Sequence, residues 1–367
     1  MDPLPDPSRH LHVAIVRLTS LGDVIHGLPV AAAIRHHLPG TRITWLVEER
    51  EQVLLRDSGV VDNVVVVPLR RWRQSLSSLH GWRRSVAELQ SLSRHLKSGH
   101  IDVAIDMQGW VHKTSPLTLL TRAPIRIGFD RAHARDPFSP LATNRHVTPL
   151  PAAKHIVDQN LALLGPVGVR APGPAEFPLP AYAEAEARAE AWRRARGVGA
   201  QHRLVVLLPS TRGNPKRWPA DRYRELGGRL LNDPSVLLLI VGGPGEERLL
   251  ETVREGLPAE RAFVFAPEPI PDLVAMIRHT HLAIGNDTGP LHVAAASEVP
   301  AFGLFGPTRG ERNGPYGSHC GYLQSPTARM DDLSVDEVWK RISSAPPRSG
   351  TSAATSLSNN QRDTEAH

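Results

Sequence analysis

Short apolar runs alternate with longer helical stretches along most of this chain. His12 to Leu18, Arg42 to Val47, Val60 to Pro68, Ile101 to Asp106 and Arg126 to Gly128 read as strands. Between them, residues 24–38, a long stretch ending near Lys97, and 115–122 carry helical patterning. After a Gly/Pro-rich segment the rhythm restarts. Leu204 to Leu208, Val236 to Val241, Ala262 to Phe265, Leu282 to Ile284 and Ala301 to Phe305 are strands, and 220–232, 271–279 and 333–342 are helices. Strands that read as continuous apolar runs and alternate with helices belong to parallel sheets covered on both faces. The pattern predicts an α/β protein with two doubly wound, Rossmann-like domains facing each other across a cleft.

Breakers set the boundaries. Residues 11–168 form the first domain, 169–180 a hinge, and 181–342 the second domain with its final helix. Residues 1–10 and the Ser/Thr/Asn/Gln-rich 343–367 are expected to be disordered. Residues 129–150, rich in Arg, His, Asp and Pro, read as one long functional loop.

Composition narrows the function classes. Lys and Arg number 43 against 37 Asp and Glu, a net +6. That excess suits an anionic substrate or a membrane surface and is too dispersed for nucleic acid, for which no motif is present. The single cysteine, Cys320, fits a reducing compartment. No apolar run approaches the ~20 residues of a membrane span, and the N-terminus lacks a signal-peptide pattern. The expectation is a cytoplasmic protein, a monomer, in peripheral contact with the inner membrane through the basic surface of its first domain.

In open sheets of this kind, ligands bind at the carboxyl ends of the strands, so the turns there hold the candidate chemistry. The turn after the first strand is Thr19-Ser20-Leu21-Gly22-Asp23. It lacks the three glycines of a dinucleotide fingerprint, which disfavours an NAD-dependent oxidoreductase. Asp23 reads equally as a helix cap or as a base. Arg70-Arg71-Trp72-Arg73 reads as an anion clamp or a solvated helix start. The loop after Asp106 carries Gln108, His112 and Lys113, a polar set suited to a sugar. In the second half, Ser210, Thr211, Lys216 and Arg217 follow a strand. Glu246 and Glu247 follow the Gly242-Gly243 turn, and Asp287-Thr288-Gly289 opens a helix that carries His292. Ser210 and Thr211 serve loop capping as readily as phosphate contact. A helix N-terminus offers free N–H groups and positive potential to a phosphate. No Asp-x-Asp occurs, so a metal site is not expected.

Taken in order, Ser20-Leu21-Gly22-Asp23, Asp106-x-Gln108-Gly109, Lys216-Arg217-Trp218-Pro219, Asp287-Thr288-Gly289-x-x-His292 and Phe305-Gly306-Pro307-Thr308 resemble glycosyltransferase family 9, the lipopolysaccharide heptosyltransferases. The resemblance spans about residues 11–342. Trp45 to Glu49, Arg70 to Arg73 and Asp106 to Val111 resemble its heptosyltransferase I branch. It implies a GT-B fold and inverting, metal-free transfer of heptose from ADP-L-glycero-D-manno-heptose to 3-deoxy-octulosonic acid on lipid A, with no cofactor. Asp23 would be the catalytic base. Ser210, Thr211, Lys216, Glu246, Asp287, Thr288, Gly289 and His292 would bind the donor, with Glu247 competing for the role of Glu246. Ser20, Gly22, Arg70, Arg71, Arg73, Gln108 and Lys113 would meet the anionic glycolipid acceptor. Other core positions, another nucleotide-sugar, or a non-catalytic sugar-nucleotide binding protein are the alternatives.

Overall fold

The computed structural model describes residues 10–75, 79–169, 173–211, 213–267 and 269–343. The termini expected to be disordered lie outside these residues, except His10 and Ser343, which ends the last helix. Arg212 also lies outside them. The chain divides into two compact units between Ala181 and Tyr182.

The first unit holds β1 (His12–Val16), β2 (Arg42–Val47), β3 (Asn63–Val66), β4 (Val103–Asp106), β5 (Ile125–Phe129) and β6 (Arg145–Val147). All pair in parallel, in the order β3-β2-β1-β4-β5-β6. The central β1 is buried along its whole length, as its unbroken HVAIV run requires. Val13 sits between Ile43 and Val103.

The second unit repeats this plan. It holds β7 (Arg203–Leu208), β8 (Val236–Val241), β9 (Ala262–Phe265), β10 (Leu282–Asn286), β11 (Ala301–Phe305) and β12 (Cys320–Gln324), in the order β12-β11-β10-β7-β8-β9. Read from each unit's own first strand, both orders are 3-2-1-4-5-6, the dinucleotide-fold order. In that order the connections leave in opposite directions from the first and fourth strands, and the crevice where they part is the ligand position. The first unit therefore opens its crevice between the turns after β1 and β4. The second opens its own between the turns after β7 and β10.

Several boundaries differ from the sequence reading. The helix expected over 24–38 is two, Leu21–Ile25 and Leu28–His37. Pro29 supplies no N–H, and Gly27 at the junction admits the Trp45 indole. A Cβ on Gly27 would lie 2.8 Å from the Trp45 ring. Residues 129–150 are not one irregular loop, since they contain a one-turn 3-10 helix, Ser139–Ala142, and β6. The final helix starts at Val335 rather than 333. Ser334 caps it by a reciprocal bond with Glu337: the Ser334 N–H reaches Oε2 at 2.9 Å and the Glu337 N–H reaches Ser334 Oγ at 3.2 Å.

Trp218 anchors the second core. It is fully buried on Tyr223, and its indole N–H donates to the Leu333 carbonyl at 2.8 Å. Truncating such a side chain to alanine costs about 3–5 kcal/mol. The residue after Lys216-Arg217 is thus a peg that fixes where those cations start.

Candidate active site

Arg17 continues β1 into the sheet's carboxyl edge, where its guanidinium is buried. The Thr19–Ser20 peptide is cis. Ser20 then takes an extended N-cap conformation, and Asp23 falls at the third position of the helix it opens. Asp23 Oδ2 accepts from the Ser20 N–H at 2.9 Å and from Ser20 Oγ at 3.2 Å. Its Oδ1 accepts from Arg17 Nη2 at 2.6 Å. Arg17 also donates from Nε to the Asp23 carbonyl at 3.2 Å and from Nη1 to the Met107 carbonyl. Burial pushes the Asp23 carboxyl upward. The positive charge of Arg17, the Ser20 hydrogen bonds and Arg135 outweigh it, and the pKa falls below the ordinary value. Asp23 is a helix cap, and with its side chain 30% exposed it is also an ionised group within reach of a ligand.

Gln108, after β4, is on the other side of this crevice. Its Oε1 accepts from the Leu18 N–H at 3.3 Å and its Nε2 donates to the Thr19 carbonyl at 2.9 Å. The side chain is buried and holds the 18–19 turn in place. Asp106 accepts from the Gln108 and Gly109 N–H groups at 3.0 and 2.9 Å. Burial raises its pKa, and these bonds offset that only in part. Gly22 is buried inside the short helix. Lys113 Nζ lies 3.6 Å from the Trp110 ring centroid and the Arg135 guanidinium 4.3 Å from it, with His112 stacked on the same indole.

Arg70, Arg71 and Arg73 are exposed on the helix Leu69–Ser75. Arg71 lies 3.8 Å from Glu88. Trp72 donates to the same Glu88 at 2.8 Å and packs on the core, so its ring is part of the scaffold. Among the described residues no hydrogen bond or ion pair joins these arginines to the Asp23 turn.

The second unit brings most of its expected residues together. Asn286 ends β10 fully buried. Its Oδ1 accepts from the Trp218 N–H at 3.1 Å and its Nδ2 donates to the Pro209 carbonyl at 2.8 Å, tying three loops at one point. Gly285 lets β10 approach β7, since a Cβ there would sit 2.5 Å from Leu208 Cβ. Asp287 Oδ2 then accepts from Lys216 Nζ at 2.7 Å, and Oδ1 lies 3.8 Å from His292 Nε2. Thr211 Oγ1 donates to the Asp287 carbonyl at 3.0 Å. Burial pushes Asp287 upward, but His292 and Lys216 outweigh it and hold the carboxyl far below its ordinary range. Thr288 is the N-cap of the helix Gly289–Ala296.

Glu246 and Glu247 separate here. Glu246 accepts from the Gly243 N–H at 2.8 Å and lies 3.8 Å from Arg217, whereas the exposed Glu247 accepts from its own Gly245 N–H at 3.0 Å. Ser210 Oγ and Thr308 Oγ1 are buried polar atoms with no hydrogen-bond partner. Such atoms in a strand-edge crevice are complementary to a hydrogen-bonding ligand. Among the described residues, the arrangement offers an anion Lys216, a helix N-terminus and unused hydroxyls. Arg17, Arg135 and Thr308 carry no site assignment from sequence. A charged residue inside the run VAIVRL was the available signal for Arg17. Among the described residues no cluster of three or more His, Cys, Asp or Glu could hold a metal ion. No helix among them is long and apolar enough to cross a membrane.

A family model described as glycosyltransferase family 9 (heptosyltransferase) matches residues 89–341. Lipopolysaccharide heptosyltransferase 1 of Pseudomonas aeruginosa is 29% identical over 86% of this chain and 84% of its own length. The protein of the same name from Escherichia coli K12 is 26% identical, over 91% of this chain and all of its own length. Among solved structures, E. coli heptosyltransferase WaaC with ADP superposes with a TM-score of 0.72 at 25% identity, covering 90% of this chain and 99% of that one.

Proposed function

The chain belongs to glycosyltransferase family 9, and from that premise we propose that it moves heptose from ADP-L-glycero-D-manno-heptose to 3-deoxy-octulosonic acid on lipid A, the first heptose of the lipopolysaccharide core. The carrying observation is the Lys216–Asp287–His292 cluster beside unpartnered Ser210, at the crevice of the second unit. The relatives named lipopolysaccharide heptosyltransferase 1 support heptose as the sugar and lipopolysaccharide as the acceptor class, and the ADP of the superposed structure supports the nucleotide.

In this reading the donor diphosphate enters the second crevice. Lys216 neutralises the charge that grows on the departing ADP, and the N–H groups at Thr288 and Gly289 and the hydroxyl of Ser210 add hydrogen bonds, while Thr211 holds the Asp287 carbonyl. Asp287 holds Lys216 in place beside His292 until the anion arrives. Glu246, tied to the Lys216–Arg217 loop, takes the ribose side. Asp23 accepts the proton of the acceptor hydroxyl as that oxygen attacks the anomeric carbon from the face opposite ADP, so configuration inverts. Gln108 and Ser20 hold the Asp23 turn. Lys113 and Arg70, Arg71 and Arg73 meet the acceptor's anionic groups. No metal or cofactor takes part, and the enzyme works as a monomer in the cytoplasm, in peripheral contact with the inner membrane.

The test is incubation of the full chain with ADP-heptose and heptose-deficient lipid acceptor, with chelator present. Heptose appears on the lipid and ADP is released. Transfer from a different nucleotide-sugar only, or to a core that already carries heptose only, replaces this reading with another family 9 specificity. ADP-heptose binding without turnover on any acceptor leaves a binding protein.

A further inference from the structure

Among the described residues, five of the seven exposed large apolar side chains fall within 111–150: Val111, Leu119, Phe138, Leu141 and Leu150. The one-turn helix Ser139–Ala142 organises the centre of this set. A 3-10 helix has three residues per turn, so positions i and i+3 share a face. Ser139 and Ala142 are buried. Phe138 and Leu141, on the other face, are 58% and 84% exposed. The one-turn helix therefore packs a serine and an alanine inward and presents its two largest apolar side chains outward.

That presentation is held firmly. Asp136 accepts from the Phe138 N–H at 3.0 Å, Ser139 Oγ donates to the Asp136 carbonyl at 2.9 Å, and Thr143 Oγ1 donates to the Pro140 carbonyl at 3.1 Å. The helix Thr114–Leu120 packs against this turn and carries a further exposed apolar side chain, Leu119.

Basic residues outnumber acidic ones along this segment. Residues 111–150 contain Lys113, Arg122, Arg126, Arg131, Arg135 and Arg145 against only Asp130 and Asp136. Both carboxylates are engaged locally: Asp130 by His133 at 2.7 Å and by Thr148, Asp136 by the Phe138 N–H. Arg131 sits 5.9 Å from the Phe138 ring centroid, so the cation and the apolar tip belong to one patch. Exposed leucine and phenylalanine beside an arginine, on a segment with a basic excess, complement a layer whose surface is anionic and whose interior is hydrocarbon.

We propose that the Phe138–Leu141 turn is a membrane-docking wedge, which inserts into the headgroup boundary of an anionic phospholipid surface while Arg131 meets the phosphates. The wedge deepens the reading of a membrane-borne acceptor, and it is testable without donor or acceptor, so its failure leaves the transfer reaction standing.

The experiment sediments the full chain with vesicles of phosphatidylglycerol and phosphatidylethanolamine, and with phosphatidylcholine alone. The wild type binds the anionic vesicles and is largely free in the others. Phe138→Ser combined with Leu141→Ser lowers the partition coefficient at least about tenfold, as expected for two apolar side chains withdrawn from lipid. The melting temperature stays unchanged, since both side chains are exposed. Should the double variant prove unstable, Leu141→Trp carries the test: its added fluorescence shifts to the blue on vesicles and is quenched by brominated acyl chains. Equal binding of wild type and double variant, or an introduced indole that bromine leaves unquenched, overturns the wedge. So does a wild-type dimer that Leu141→Ser converts to monomer in the absence of vesicles, because the patch is then covered by a second copy.

Discussion

The two units share a strand order, and each places a carboxylate beside a cation at its crevice, but the pairs are built differently. In the first, Arg17 is 5% exposed and donates to the Met107 carbonyl, the Asp23 carbonyl and the Asp23 carboxylate. That guanidinium cannot leave without stranding buried donors. In the second, Lys216 is 34% exposed and reaches Asp287 as a flexible arm. A lysine is a point charge on a rotatable stem, whereas arginine's fork fixes its geometry. An arriving anion can draw Lys216 from Asp287, and nothing comparable can draw Arg17 from Asp23. In the proposed transfer the first pair holds the reacting group still, and the second stores a charge for the donor.

The largest expected effect breaks the comparison at its active members. Asp23→Asn keeps the shape of the helix cap and removes the proposed base, so kcat falls about 10²–10⁴-fold while ADP affinity, measured by calorimetry, stays within about twofold of wild type. Lys216→Met lowers kcat by about 10²–10³ and weakens ADP binding as well. If Asp23→Asn weakens ADP binding as much as Lys216→Met does, the division of roles between the pairs is wrong.

The sequence displays half of this contrast. Strand-ending motifs mark both crevices, because turns that carry polar residues interrupt apolar runs. The order 3-2-1-4-5-6 is invisible there, since it depends on which strands pair and not on their spacing. Both sixth strands escape for one reason. β6, Arg-His-Val, and β12, Cys-Gly-Tyr-Leu-Gln, are edge strands in equivalent positions, only half covered, and carry no apolar run. Asp23 is legible as a candidate, but Arg17 is not legible as its partner, because a separation of six positions does not reveal that a strand end and a helix turn meet. Glu246 and Glu247 differ by one residue in sequence and are told apart by which backbone N–H each accepts.

Arg17→Met sharpens the comparison by converting a fixed pair into a lone carboxylate. Removing one partner of a buried ion pair costs about 3 kcal/mol, read as a lower denaturation midpoint. The pH dependence tells this loss from simple packing damage. Asp23 has a folded pKa below its unfolded value. Its pairing therefore adds stability above the unfolded value, near pH 4, that disappears as pH falls through the lowered folded value. The variant loses that increment at neutral pH and shows a smaller further loss on acidification than the wild type. It also moves the acid limb of kcat/KM upward in pH. Arg17→Lys restores part of both. Equal acid sensitivity in wild type and Arg17→Met would mean the guanidinium serves packing alone.

Ser210→Ala has the smallest effect and separates ligand complementarity from scaffold most cleanly. Ser210 Oγ is buried without a partner, so the hydroxyl is desolvated in the free protein and gains nothing there. Removing it leaves the melting temperature unchanged or slightly raises it, because the cost of an unmade hydrogen bond is removed with the atom. In the proposed complex with ADP the same hydroxyl gains an acceptor, and its loss weakens affinity by about 3–10-fold, the worth of one net hydrogen bond. A scaffold residue such as Thr211, whose hydroxyl already donates to the Asp287 carbonyl, behaves the other way: Thr211→Val lowers the melting temperature first and affects ADP through Asp287. A Ser210→Ala protein that melts lower and binds ADP unchanged would place the hydroxyl with the scaffold, and the second crevice would then hold its guest by Lys216 and the helix N-terminus alone.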